Sequence, residues 1–190
     1  MRKPTSQPAT YEDLLALPPN MVGEIIDGEL HAHPRPASPH AYTSSGLGAL
    51  LLPGFQHGSG GPGGWWILDE PQLKLGRDIL VPDLEGWRKA RMPSIPKVPQ
   101  FELAPDWVCE ILSPSTASID RVAKKHIYAR ERVSYLWYLD PAAQTLEVLT
   151  LRDGQWVELG AWMGAEKVRA APFDALELDL SLLWIAEESE

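Results

Sequence analysis

The chain has 190 residues, 44% hydrophobic and 23% charged, which suits one globular domain with its own core and excludes a disordered chain. Its 17 Lys and Arg against 26 Asp and Glu leave a net charge of −9, a field that repels nucleic acid and membrane surfaces. The single cysteine, Cys109, excludes an internal disulfide and fits a reducing cytoplasmic setting; no apolar run suits a membrane span or a signal peptide.

A polar arm over residues 1–9 leads to Thr10, an N-cap for a short helix from Tyr11 to Leu17 that Pro18-Pro19 stops. Asp27-Gly28, inside Glu24 to Leu30, is a type I′ hairpin signal. Ser38-Pro39 opens a helix that runs to about Leu52 and closes at Pro53-Gly54. After a glycine-rich loop, Trp65 to Leu75 reads as a strand, with Pro71 arguing for an edge or a bulge. Ile79 to Leu84 is a short strand ending near Trp87, and Met92 to Pro105 a proline-rich loop. Trp107 to Leu112 is an apolar strand with one carboxylate, Glu110, inside it. Ile119 to Arg132 reads as a helix whose apolar arc includes Ile119, Val122, Ala123, Ile127 and Val133. Tyr135 to Leu139 is a strand, and Asp153-Gly154 turns a second hairpin between Thr145–Leu151 and Gln155–Leu159. The tail alternates over Leu176 to Leu180. The order predicts a mixed α/β (α+β) fold with parallel and antiparallel strand pairs.

Several local patterns carry no chemistry. Gly58 to Gly63 matches G-x-G-x-x-G, but a helix precedes it and a strand follows, the reverse of a dinucleotide loop. His31 and His33 could share a strand face with His40 or His57 as third metal ligand, but the spacing is loose and surface histidines are the expectation. Cys109 sits in apolar surroundings that keep a thiol protonated. The carboxylates say more. Glu110, inside an apolar strand, must be paired with a Lys or Arg or hold a metal. Asp83, at the end of a strand after Pro82, could present oxygens to the same Mg²⁺ if the two strands are neighbours. Asp120, Lys124 and Tyr128, at i, i+4 and i+8, line one helical stripe beside the apolar arc.

In order, these pieces resemble the Uma-type restriction-endonuclease family of the PD-(D/E)XK nuclease superfamily, over roughly residues 10–150. The resemblance rests on Tyr11-Glu12-Asp13-Leu14, Glu24 to Leu30, Ser38-Pro39-His40 and Val81-Pro82-Asp83-Leu84. Its most specific part is Pro105 to Thr116 followed by Asp120, Lys124 and Tyr128, with Trp137 and Asp140-Pro141 closing the core. It implies a restriction-endonuclease-like core, a mixed sheet with flanking helices and added hairpins, within a single domain over 1–190 whose residues 151–190 are a strand-rich extension. It implies an endonuclease that hydrolyses nucleic acid, with DNA as the expected substrate and a homodimer as the expected assembly. Asp83 and Glu110 would bind Mg²⁺ (or Mn²⁺), with the Ile111 carbonyl as a further ligand and Glu24 as an auxiliary acid. The superfamily's lysine two residues after the glutamate is Leu112 here. Lys124 on the following helix would replace it, with Lys125 as its near competitor. Arg132 stands where the family has glycine. The alternative is a catalytically degenerate binding or accessory module, which the net charge and Leu112 favour. Two basic stretches, Arg88, Lys89 and Arg91, and Arg121 to Arg132, would form a basic rim if they flank one cleft.

Overall fold

The computed structural model describes residues 7–186; residues 1–6 of the predicted arm, and 187–190, lie outside them. Asp13 accepts hydrogen bonds from the Thr10 N–H (2.7 Å) and hydroxyl (2.9 Å), which starts helix α1 (Tyr11–Leu15) as expected. The first hairpin pairs β1 (Met21–Ile26) with β2 (Glu29–Pro34). Its turn residues Asp27 and Gly28 have φ of 52° and 82°, the two positive angles of a type I′ turn. Helix α2 (Ser38–Leu51) does not stop at Pro53-Gly54. It runs on through a π-helical turn, Leu52–Gln56.

The two central strands expected from the sequence each split at a change of sheet. Trp65 to Leu75 becomes β3 (Trp65–Asp69) and β4 (Leu73–Leu75), broken at Glu70-Pro71, where Glu70 has a φ of 46°. Residues 78–88 become β5 (Asp78–Leu80) and β6 (Leu84–Arg88). Pro82 sits at that break, where its missing N–H could not serve a ladder. The chain thus crosses twice between a four-stranded antiparallel sheet, ordered β2-β1-β5-β4, and a six-stranded sheet.

The six-stranded sheet is completed by β7 (Trp107–Ile111), β8 (Tyr135–Asp140), β9 (Thr145–Arg152) and β10 (Gln155–Met163), in the order β10-β9-β8-β7-β6-β3. Only β7 and β8 run parallel in it, and a helical crossover joins them. The crossover is α3 (Ala117–Ile119), a π-helical turn (Asp120–Lys124) and α4 (Lys125–Arg130) in one run. Here the expected apolar arc is revised. Val122 is 58% exposed, whereas Asp120, Lys124 and Tyr128 are buried. A π turn spends one residue more per turn than an α-helix, so the stripe that faces the sheet shifts within it.

One face of the sheet packs against α2 through Leu47, Leu51 and Phe55, with Trp65, Trp107, Trp137 and Phe173 between them. The other face packs Val108, Leu112, Leu136 and Tyr138 against Ile127 and Tyr128 of the crossover and against Leu73, Leu75 and Leu80 of the smaller sheet. The alternating tail forms only a two-residue pairing, β11 (Lys167–Val168) with β12 (Leu178–Asp179), then a 3₁₀ turn (Leu180–Leu183). Residues 164–184 nevertheless reach the core, since Val168, Phe173, Leu180 and Trp184 are buried there.

Arg132 closes the crossover with a φ of 60°. That is the left-handed region, which costs a residue with a Cβ roughly 1–2 kcal/mol relative to glycine. Arg132→Gly is expected to raise the unfolding free energy, and with it the urea midpoint, by up to about 1 kcal/mol of stability once the larger chain entropy of glycine is subtracted. A lowered midpoint would show that the arginine side chain contributes more than its backbone costs.

Candidate active site

Four segments distant in sequence meet at one end of β7. Strand alternation points Glu110 to the same face as Val108 and Leu112, toward the crossover helix. Asp83 sits at the sheet-to-sheet break just before β6, next to the end of β7, where its Oδ2 accepts the Ile111 N–H at 2.6 Å. Glu24 comes from β1, and its Oε1 accepts the Val81 N–H at 2.8 Å. Lys124 comes from the π turn of the crossover. Glu24, Asp83, Glu110, Ile111 and Lys124 line one cavity of about 310 Å³, with His33, Arg35 and Ser113 toward its walls.

Lys124 is the hub. Its Nζ lies 2.8 Å from Glu110 Oε1, 3.0 Å from Glu24 Oε1 and 3.3 Å from Asp120 Oδ1, while the residue is only 2% exposed. Tyr128, one turn further on, donates its hydroxyl to Glu110 Oε1. The Tyr138 hydroxyl, from the neighbouring strand β8, donates to the Asp120 carbonyl at 2.9 Å and ties the π turn to the sheet. Lys125 points elsewhere. Its carbonyl accepts the Trp156 indole N–H at 3.0 Å, and it lines an outer groove with Arg121 and His126.

Electrostatics follow from this packing. Burial alone would lower the Lys124 pKa, but Glu110, Glu24, Tyr128 and Asp120 together hold it well above the ordinary lysine value. Burial pushes Glu110 well up, with Lys124 pulling against it and Asp120, Asp83 and Glu24 adding to the rise. Asp120 is raised for the same first reason, against Lys124. The carboxylates therefore outnumber the cation that serves them.

Two residues here were not among the expected site residues. His40 was expected at the surface. Its Nε2 lies 2.9 Å from Asp83 Oδ1, and only 12% of its side chain is exposed. Burial lowers its pKa, but the bond and charge of Asp83 outweigh that, and the net shift is upward. The signal was available: Ser38-Pro39 starts a helix, so His40 lies in its first turn, facing whatever the helix start packs against. Asp120 is expected only on a helical stripe with Lys124 and Tyr128, beside the apolar arc, and the π turn buries it with Lys124.

Apart from Lys124, neither basic stretch lines the cavity, so the condition for a basic rim is not met. Arg88 and Lys89 stack over the Trp65 and Trp66 rings at the end of β6 away from Asp83, and Arg91 pairs with Asp106 at 3.0 Å. Arg121 is held by Glu147. The position of the usual lysine, Leu112, is filled by core packing against Ile127 and Tyr128.

The donor set suits a hard divalent cation. Four carboxylates, Glu24, Asp83, Glu110 and Asp120, are paired with Lys124 or His40, and their oxygens are the ligand type that Mg²⁺ takes. Among the described residues no three His, Cys, Asp or Glu side chains form a ready-made metal cluster, because Lys124 stands between them. Mg²⁺ needs no such cage, since one or two carboxylates with waters and substrate phosphates commonly suffice.

Comparison with known proteins agrees with this architecture. The family model Uma2, described as "Putative restriction endonuclease", matches residues 8–182. The crystal structure of a "putative nuclease belonging to DUF820" from Anabaena variabilis ATCC 29413 superposes with a TM-score of 0.68. It is 24% identical, and the match covers 93% of this chain and 97% of that one, a likeness that shows the fold. No curated protein matches the chain. With the family match running from before α1 to the final 3₁₀ turn, the chain belongs to the Uma2 family.

Proposed function

We propose that this chain is an endonuclease that hydrolyses phosphodiester bonds of nucleic acid, DNA foremost, with Mg²⁺ (or Mn²⁺) as its cofactor. The convergence of Glu24, Asp83, Glu110 and Lys124 on one cavity carries the reading. Asp83 and Glu110 would hold the cation, with the Ile111 carbonyl as a further ligand. Bound there, a divalent cation supplies Lewis-acid charge and a more acidic water.

The other residues have roles of their own. The Lys124 ammonium provides positive charge where the phosphorane builds negative charge, and its neighbours keep it protonated. Tyr128 fixes the plane of the Glu110 carboxylate. His40 and the Ile111 N–H hold the two oxygens of Asp83. Arg35, 62% exposed at its side chain and 3.7 Å from the cavity's own Glu70, and His33 are wall groups suited to flanking phosphates. In the reaction a water oxygen bonds to phosphorus, one ester P–O bond breaks, and the leaving oxygen takes a proton.

The working unit would be a homodimer in the cytoplasm. Support for pairing comes from Val157, Leu159 and Met163, exposed apolar residues of the edge strand β10. A second reading, a nuclease-fold binding module, is favoured by Arg88 and Lys89 lying at the far end of β6. The deciding experiment is cleavage of plasmid DNA by the purified protein with Mg²⁺ or Mn²⁺. Glu110→Ala is expected to lower cleavage by about 10²–10³-fold or more. Equal cleavage by wild type and Glu110→Ala sinks the mechanism. Retained DNA binding without cleavage in either protein selects the module.

A further inference from the structure

Both oxygens of Glu110 are already occupied. Lys124 Nζ lies 2.8 Å from Oε1 and donates to Oε2 at 2.9 Å, and Tyr128 adds its hydroxyl to Oε1. The same ammonium serves Glu24 and Asp120. An ammonium has three donors, and here they are divided among three carboxylates. A divalent cation at Glu110 would need oxygen at about 2.0–2.1 Å and would bring two more positive charges beside the lysine. The ammonium and the cation compete for the same lone pairs. Lys124 also lines the cavity, so space exists on one side for its head group to move.

We propose that Lys124 is an exchangeable counter-cation, which pairs with Glu24, Glu110 and Asp120 until a divalent cation takes Glu110 and then gives up its Glu110 contact. The proposal rests on the divalent-cation reading of the site and adds a coupling to it. Without the cation, the ammonium is held by Glu110 and turned away from a substrate phosphate. With the cation, that grip is released, so the lysine is armed only when the cation is present. Lys124 then also limits how tightly the site binds cations, because every binding event must displace it.

Titration calorimetry with Mn²⁺ tests this on the full chain without any activity readout. Lys124→Met is expected to bind Mn²⁺ about tenfold tighter than wild type, or more. Adding Glu110→Gln to that variant is expected to remove the gain. Equal or weaker binding by Lys124→Met, with wild type binding normally, overturns the exchange and leaves the cation reading standing. No Mn²⁺ binding by either protein overturns the cation reading, and the exchange with it. Should Lys124→Met fail to fold, wild type decides alone. The NMR resonance of the Lys124 side-chain ammonium is expected to shift on saturation with diamagnetic Mg²⁺, and an unmoved resonance overturns the exchange.

Discussion

Phe173→Ala is expected to lower folding stability by about 3–5 kcal/mol, the range for emptying a buried phenylalanine site. The residue is fully buried. Its ring centroid lies 4.7 Å from Phe55, 4.9 Å from Trp107, 5.0 Å from Trp65 and 5.6 Å from Trp137. Three of these contacts are edge-on, the arrangement the ring quadrupoles favour. Rigid indoles relax poorly into a void, so the cavity term stays large. The segment that carries Phe173 is also pinned by the Trp137 indole, which donates to the Ala171 carbonyl at 2.8 Å. Urea denaturation checks the value, with the exposed Leu182→Ala as a control that changes stability by less than about 0.5 kcal/mol. A loss below about 1 kcal/mol for Phe173→Ala would show that residues 164–184 do not close this core.

Glu85→Met is expected to act in the opposite direction, adding about 1–3 kcal/mol at neutral pH. Glu85 is fully buried on β6, and among the described residues neither of its carboxylate oxygens has a hydrogen-bond partner. Burial raises its pKa well above the ordinary carboxylate value, and Glu110 adds to the rise against Lys124. A folded-state pKa above the unfolded one means that its contribution is intact below the unfolded value of about 4.3 and is lost as pH rises toward the folded value. The loss has a slope of up to about 1.4 kcal/mol per pH unit. Methionine has similar volume and no charge, so it removes this slope. Stability measured from pH 5 to pH 8 should therefore diverge, with the variant gaining on wild type as pH rises. Parallel curves would show that Glu85 finds a partner in solution.

Local chemistry was legible where it is local. Asp27-Gly28 and Asp153-Gly154 turned their hairpins, and Thr10 and Asp13 started α1. The breaks in the central strands were not legible as changes of sheet. Pro71 and Pro82 mark a break, but which sheet the chain joins next depends on partners far along the sequence. The site followed the same division. Glu110 and Asp83 stood out from their strand positions, Glu24 and the role of Lys124 came from the family resemblance, and the π turn that buries Asp120 had no sequence signature. Periodicity at 3.6 residues assumes an unbroken α-helix, and so it placed Val122 inside.

The sequence separations inside the site bear on the order in which it forms. Lys124 and Tyr128 reach Glu110 across 14 and 18 residues, within one strand–helix–strand unit. Glu24 reaches Val81 across 57 residues and must wait for the two hairpin-bearing segments to meet. Local contacts close early in folding, and long loops close later. The ammonium is thus expected to find Glu110 first and to gain Glu24 only as the smaller sheet docks. No stage of this sequence buries the lysine alone, so its charge is escorted into the core by a neighbour of its own unit.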